Sequence, residues 1–85
     1  MPELSRFYGI VIYMYYLDHE PPHFHAKYGV YEAIISLPDG QFFGEFPKTA
    51  KRLVKKWLKI HQQELLSDWE LARSRKALQK IAPLE

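Results

Sequence analysis

An apolar run of ten residues from Phe7 to Tyr16, FYGIVIYMYY, constrains the fold more than any other segment. The run is rich in β-branched and aromatic residues and is apolar at both alternating positions, which is typical of a strand covered on both faces. It is well short of the roughly 20 residues that a membrane-spanning helix needs. We therefore expect a sheet, with this run as a central strand.

A second strand pattern begins at His23, after a loop that Pro21 and Pro22 end. Proline has no backbone N–H to donate to a sheet, so a strand cannot resume earlier. From this point the side chains alternate between two faces. The apolar set, expected to face the core, is Phe24, Ala26 and Tyr28, and the opposite set is His23, His25 and Lys27.

Two turn signals complete the sheet. Gly29 and Val30 separate the His23 strand from a third strand, Tyr31 to Leu37. The sequence LPDGQ then supplies a proline, an aspartate and a glycine, each favourable in a tight turn, before a fourth strand from Phe42 to Phe46. The pattern predicts a four-stranded antiparallel meander.

The rest of the chain predicts helix. Pro47 suits the first helical position, and apolar residues then recur at spacings of three and four. These residues are Ala50, Leu53, Val54, Trp57, Leu58, His61 and Leu65. The stretch Ser67 to Glu70 resembles a capping box, which predicts a break and a short second helix to about Ser74. The tail, residues 78–84, is expected to be extended.

Composition limits the class of protein. A chain of 85 residues allows one α+β domain, residues 1–85, with one core. The absence of cysteine excludes disulfides and thiolate metal ligands and suits a reducing compartment, so we expect the cytoplasm. No segment resembles a signal peptide or a membrane span, and we expect neither export nor insertion.

Charge is distributed unevenly along the chain. Residues 1–46 hold two basic and six acidic side chains, whereas residues 47–85 hold ten basic and four acidic ones. Most of these cations fall on the predicted helix opposite its apolar stripe: Lys48, Lys51, Arg52, Lys55, Lys56 and Lys59. Such a face is most often simply solvated, and it also fits RNA, DNA or an acidic partner protein.

The segment from Asp18 to Lys27 is the candidate site. Histidines two apart on a strand lie about 6–7 Å apart on one face, close enough to share a metal ion or a phosphate. One hypothesis is a divalent metal site formed by Asp18, His19, His23 and His25, as in a hydrolase. A second uses His23 and His25 as general base and acid in RNA cleavage, with Lys27 stabilising the phosphate charge. In a third, the histidines have only a structural role.

Several stretches carry a family resemblance: SRFYGIVIYMYYLDHEPPHFHAKYGVYEAII, LVKKW, DWELAR and KIAPL. Together they resemble domain-of-unknown-function family 4160, a group of small uncharacterised bacterial proteins. The combination DHEPPHFH is the most specific part. Arg75 and Lys76 depart from the pattern, which tends to have a glycine and an acidic residue there.

The resemblance implies a function only by association. Genes of the family commonly lie beside that of a second small protein, which implies a two-gene module of toxin–antitoxin type. The leading hypothesis is therefore a component that binds a cognate small protein or a nucleic acid, and the alternatives are a histidine-based ribonuclease toxin and a metal-dependent hydrolase. An aromatic-rich sheet surface would also favour a homodimer.

Overall fold

A computed structural model of the protein describes residues 2–85, which form an α+β fold with five strands and one helix. The elements are β1 (Glu3–Phe7), β2 (Ile10–Tyr13), β3 (His23–Tyr28), β4 (Tyr31–Ser36), β5 (Phe42–Phe43) and α1 (Lys48–Arg73). The strands form one antiparallel meander in the order β1-β2-β3-β4-β5. The predicted meander is confirmed, but it has five strands rather than four.

The additional strand, β1, lies mostly before the apolar run, and a turn at the start of the run joins it to β2, which ends at Tyr13. Phe7 and Ile10 pair directly, and the two residues between them, Tyr8 and Gly9, have φ angles of +49° and +80°. Positive φ at both central positions matches the twist of a two-residue hairpin. Tyr8-Gly9 lacks the Asn-Gly or Asp-Gly sequence that usually marks such a turn, so the turn was not predicted. The prediction of one strand from Phe7 to Tyr16 was therefore wrong.

The other two predicted turns are confirmed. Tyr28 pairs with Tyr31 across Gly29, whose φ is +60°. At the second turn, the Gly40 N–H donates to the Ser36 carbonyl at 2.8 Å. The strand that follows is shorter than predicted and comprises only Phe42 and Phe43.

Helix α1 packs across one face of the sheet and encloses the core. Trp57 is fully buried, with its ring 5.4 Å from the ring of Phe7 and 5.9 Å from that of Phe24. The predicted apolar stripe supplies most of the helical contribution. The buried core residues include Ile10, Ile12, Phe24, Ala26, Ile35, Leu37, Val54, Trp57, Leu58, Leu65 and Trp69.

The second helix is not formed, because α1 continues through Ser67 to Glu70 as far as Arg73. The chain departs from helical angles earlier, at His61, with φ −114° and ψ 21°. Asp68 does not cap a new helix; its Oδ1 accepts a hydrogen bond of 2.8 Å from the Gln79 N–H. Asp68, which was interpreted as part of a helix start, therefore binds the tail instead.

The tail returns along β1. The Ile81 N–H donates to the Leu4 carbonyl at 2.9 Å, and the Trp57 indole N–H donates to the Ala82 carbonyl at 2.8 Å. Ile81 and Leu84 are buried. The tail therefore covers the outer edge of β1 and closes one end of the core. No helix within residues 2–85 is long and apolar enough to cross a membrane.

Helix α1 ends in a Schellman motif that requires a left-handed residue. The Lys76 N–H donates to the Leu71 carbonyl at 2.9 Å, the Arg75 N–H donates to the Ala72 carbonyl at 3.3 Å, and Arg75 has φ +58°. Glycine is the residue that usually occupies this position.

Replacing Arg75 with glycine is expected to stabilise the protein. Glycine removes the cost of the left-handed conformation but gains backbone freedom in the unfolded chain, so we expect a net gain of roughly 0.5–1 kcal/mol in the free energy of unfolding. Urea unfolding measures this change, with Arg73→Gly as the control inside the last helical turn, where glycine is expected to destabilise. An unchanged or lower stability of Arg75→Gly would contradict the assignment.

Asp68 is expected to make stability depend on pH. Burial raises the pKa of its carboxyl above the usual range, even though the Gln79 N–H lowers it. The folded state therefore favours the protonated form, and this contribution to stability is lost as the pH rises through the titration. Asp68→Asn keeps the acceptor for Gln79, so the wild type should lose stability relative to it as the pH rises above about 4, the usual pKa of an aspartate in the unfolded chain. Parallel curves of stability against pH for the two proteins would show that the fold does not raise the pKa of Asp68.

Candidate metal centre

The register of the sheet places His25 on the face that the helix leaves open. His25 lies in a transverse row of directly paired residues, between Tyr13 on β2 and Ile34 on β4, and the row continues to Phe43 on β5. Directly paired residues project to the same side. Phe24, the preceding residue of β3, projects into the core. The predicted alternation holds for Phe24 and Ala26, which are buried, and for His25 and Lys27 on the other side. Tyr28, which was expected to face the core, is 37% exposed, and His23 is buried.

The loop between β2 and β3 carries Asp18 to the histidines and is held at the end of α1. The Leu17 N–H donates to the Ala72 carbonyl at 3.4 Å, and Glu20 forms an ion pair with Arg73. His23 is buried, and its ring centroid lies 5.1 Å from that of Trp69. These contacts anchor the loop to the last turns of the helix.

Three side chains converge at this point to form the Asp18–His23–His25 cluster. Asp18 Oδ2 lies 2.8 Å from His23 Nε2 and 3.3 Å from His25 Nε2. One potential ligand atom from each residue lies within 4.8 Å of the other two. The side chains of Asp18 and His25 are 16% and 14% exposed, whereas that of His23 is only 5% exposed. The cluster is therefore accessible from the side of Asp18 and His25.

The tautomer of His23 follows from the contact that its other ring nitrogen, Nδ1, makes. Nδ1 lies 2.7 Å from the Pro21 carbonyl oxygen, which only accepts hydrogen bonds. Nδ1 must therefore carry the proton and donate it. In a neutral imidazole this leaves a lone pair on Nε2, directed at the Asp18 carboxylate.

Two pKa shifts describe the charge of the cluster. Burial tends to raise the pKa of Asp18, but hydrogen bonds with His25, the His19 N–H and His23 outweigh it and lower this pKa. Burial also lowers the pKa of His25, helped by the nearby His23 and opposed by Asp18. At neutral pH, Asp18 is thus ionised and His25 is neutral, which are the forms that bind metal ions.

The remaining residues of the predicted site lie outside the cluster. The side chain of His19 is 81% exposed, and its Nδ1 approaches the Glu20 carbonyl oxygen at 3.2 Å. Lys27 is exposed on β3, two residues beyond His25. His19 Nε2 lies 3.7 Å from Asp18 Oδ1 and so borders the cluster, but His19 is not one of the three residues whose ligand atoms all lie within 4.8 Å of one another.

Several residues that the sequence patterns did not indicate border the cluster. An open groove beside His25 is lined by Tyr13, Tyr15, Glu32, Ile34 and Phe43. The Tyr13 ring stacks on His25 with centroids 5.2 Å apart, and its hydroxyl donates to Glu32. Burial, followed by this hydrogen bond, raises the pKa of Tyr13 to about 12. Tyr13 is therefore a fixed hydrogen-bond donor at neutral pH.

A family model described as a domain of unknown function (DUF4160) matches residues 9–70. The chain belongs to the DUF4160 family. The match includes the whole Asp18–His23–His25 cluster and most of α1, so both lie within the DUF4160 domain. No curated protein and no solved structure matches the chain.

Two histidines of this DUF4160 domain offer a matched test of the local packing. His23→Ala removes a buried ring from Trp69 and leaves the Pro21 carbonyl without its donor, so we expect a loss of about 2–3 kcal/mol in the free energy of unfolding. His19→Ala changes an exposed side chain and should cost less than about 0.5 kcal/mol. Urea unfolding in the presence of a chelator measures both. Equal losses would contradict the burial of His23.

Proposed function

We propose that this protein binds one divalent transition-metal ion, of the zinc type, through Asp18, His23 and His25, and uses it as a metal-dependent hydrolase. The observation that carries the proposal is the 2.8 Å approach of Asp18 Oδ2 to His23 Nε2. This close approach occurs although the proton on His23 Nδ1 is donated to the Pro21 carbonyl on the other side of the ring.

This approach brings two acceptors together unless a cation lies between them. An ionised carboxylate only accepts hydrogen bonds, and the Nε2 of a neutral His23 carries a lone pair. The cation is either a second proton on His23 or a metal ion. A metal-ligating histidine usually donates its other ring N–H to a carboxylate, a backbone carbonyl or water, as His23 Nδ1–H does to the Pro21 carbonyl.

The two distances from the Asp18 carboxylate to the histidine nitrogens are close to those of a tetrahedral ion. Two donors at 2.0–2.1 Å from tetrahedral zinc lie roughly 3.3 Å apart. Asp18 Oδ2 and His25 Nε2 are already separated by 3.3 Å, and the 2.8 Å between Asp18 Oδ2 and His23 Nε2 requires only a small opening. Two imidazoles and one carboxylate form a ligand set that zinc, iron and manganese accept.

Three protein ligands leave one position of a tetrahedral ion for water, which is the arrangement of catalytic zinc sites. An ion held by Asp18, His23 and His25 would supply Lewis-acid activation of water at neutral pH. The reaction supported would be hydrolysis of an ester or phosphodiester, in which water would add at the carbonyl carbon or phosphorus, the bond to the leaving oxygen would break, and that oxygen would take a proton from solvent. The groove beside His25 gives such a substrate access from the open sheet face.

A second candidate function uses a proton instead of the metal. The lowered pKa of His25 suits it to act as a general base in RNA cleavage. With a second proton, His23 becomes an imidazolium bound between Asp18 and Pro21. The burial of His23 limits its contact with a substrate, which favours the metal hypothesis over this one.

The toxin–antitoxin role stays a prediction, as do a cognate partner protein, a homodimer and a cytoplasmic location. Both catalytic hypotheses are compatible with a toxin, and neither depends on a partner. The metal site is therefore the part of the proposal that is tested first, on the isolated protein.

Metal-free wild-type protein is expected to bind one equivalent of Zn²⁺ in isothermal titration calorimetry at neutral pH. Asp18→Asn and His25→Ala each remove a ligand and should weaken binding by about 100-fold or more. The chain has four histidines, and the two outside the cluster supply the controls, His19→Ala and His61→Ala, which should bind as tightly as the wild type. Equal affinity of the His25→Ala and His19→Ala variants would contradict the site.

Hydrolysis of bis-(p-nitrophenyl) phosphate tests the catalytic part of the proposal with the same proteins. The zinc-loaded wild type should hydrolyse this phosphodiester, and a chelator or Asp18→Asn should abolish the activity. RNA cleavage that resists the chelator would favour the histidine pair instead. Zinc binding without hydrolysis of the phosphodiester would overturn the hydrolase assignment.

A further inference from the structure

A second candidate site lies on the side of the sheet that α1 covers. There the cationic face of α1 borders the β4–β5 turn. The two sides form an open groove, which we call the cationic groove. One side consists of Leu37, Pro38, Asp39 and Gly40, and the other of Arg52, Lys55, Lys56, Leu58, Lys59 and Gln62. Gln62 joins the two sides, because its Nε2 donates to the Leu37 carbonyl at 3.0 Å.

The cations of this groove have no acidic partner within residues 2–85. The ion pairs that the described residues form lie elsewhere and involve Arg6, Arg73 and the histidines. Asp39 is the one carboxylate among the lining residues, and it accepts a hydrogen bond from the Gln41 N–H at 3.1 Å. The groove therefore presents an excess of positive charge that an anionic ligand would neutralise.

The arrangement of the cations fits a linear polyanion. Of the groove cations, Arg52, Lys55 and Lys59 fall within about 60° of one another around the helix and extend over about 10 Å along its axis. Lys48, one turn before the groove, lengthens this stripe to about 16 Å. A single phosphate would use only one or two of these side chains. A stripe of this length contacts several consecutive phosphates of one strand, and each contact releases counterions.

Two aromatic residues of β5 lie beside the cations: Phe42 faces the helix, and Phe43 projects to the open sheet face on the other side of the strand. Lys51 and Lys55 lie over the Phe42 ring, at 5.4 and 5.9 Å from its centroid. The next residue, Phe43, is 53% exposed on the two-residue edge strand β5. Cations that follow a backbone, combined with an exposed ring on which a base can stack, characterise surfaces that bind single-stranded nucleic acid.

We infer that the cationic groove binds the phosphate backbone of single-stranded RNA or DNA, with Phe43, across the edge strand β5, as a stacking surface for a base. An acidic protein would also neutralise the cations, but the linear stripe and the exposed ring favour a nucleic acid strand. The inference goes beyond the hydrolase proposal and does not depend on the metal. The strand β5 lies between the groove and the open sheet face, so a bound strand would pass close to the metal centre.

Fluorescence anisotropy with a labelled single-stranded RNA oligonucleotide, in the presence of a chelator, tests this inference. Arg52→Glu/Lys59→Glu should weaken binding at least tenfold and reduce the slope of log affinity against log salt by about 1.4. The matched control, Lys76→Glu/Lys80→Glu, makes the same charge change on the exposed tail at the other edge of the sheet and should change binding less than about twofold. Phe43→Ala should weaken binding about tenfold.

Three results would overturn the inference. The first is an equal loss of affinity in the groove and control double variants, which would reflect net charge alone. The second is competition by polyglutamate as effective as that of unlabelled oligonucleotide, which would indicate an acidic protein partner. The third is tighter binding of duplex than of single strand. Because the chelator is present throughout, failure of the metal proposal does not affect the outcome.

Discussion

The alternation of side chains along β3 determines both the core and the candidate site. Successive residues of a strand project to opposite faces. Phe24 and Ala26 are therefore buried under α1, while His25 lies on the open face beside Tyr13. A shift of one residue in the pairing of β3 would exchange the two faces and bury His25 in the apolar core. The fold and the cluster thus depend on the same register.

The last turns of helix α1 support the site directly. Its last turns bury Trp69 against His23 and bind the loop that carries Asp18. A helix that ended before Ser67 would leave this loop without support. The tail adds to the same arrangement, because Asp68 on the helix accepts the Gln79 N–H. The continuous helix is therefore a requirement of the site as well as of the core.

The sequence was sufficient to predict the parts of the fold that depend on local chemistry. The Gly29 and Gly40 turns, the alternation of β3 and the apolar stripe of α1 all follow from residue type and spacing. The Tyr8–Gly9 turn was missed because an uninterrupted apolar run indicates one strand rather than two. The capping-box signal at Ser67 was overridden by tertiary contacts, since Asp68 and Trp69 have partners outside the helix.

The candidate site was predictable to a similar degree. The spacing of His23 and His25 indicates a shared face, and the structure brings Asp18 to both of them. Nothing in the sequence specified the direction of the loop, so the exposure of His19 could not be predicted. The Pro21 carbonyl, which fixes the tautomer of His23, is a backbone group, and side-chain patterns carry no signal for it.

X-ray absorption spectroscopy of the zinc-loaded protein tests the central claim most directly, because it reports the atoms bound to the metal. The account predicts two imidazole nitrogens and two oxygens, one from Asp18 and one from water, at about 2.0–2.2 Å. The His25→Ala variant should show one imidazole fewer, and His19→Ala should leave the spectrum unchanged. A zinc ion surrounded by water oxygens in the wild type, or a spectrum altered by His19→Ala, would contradict the account.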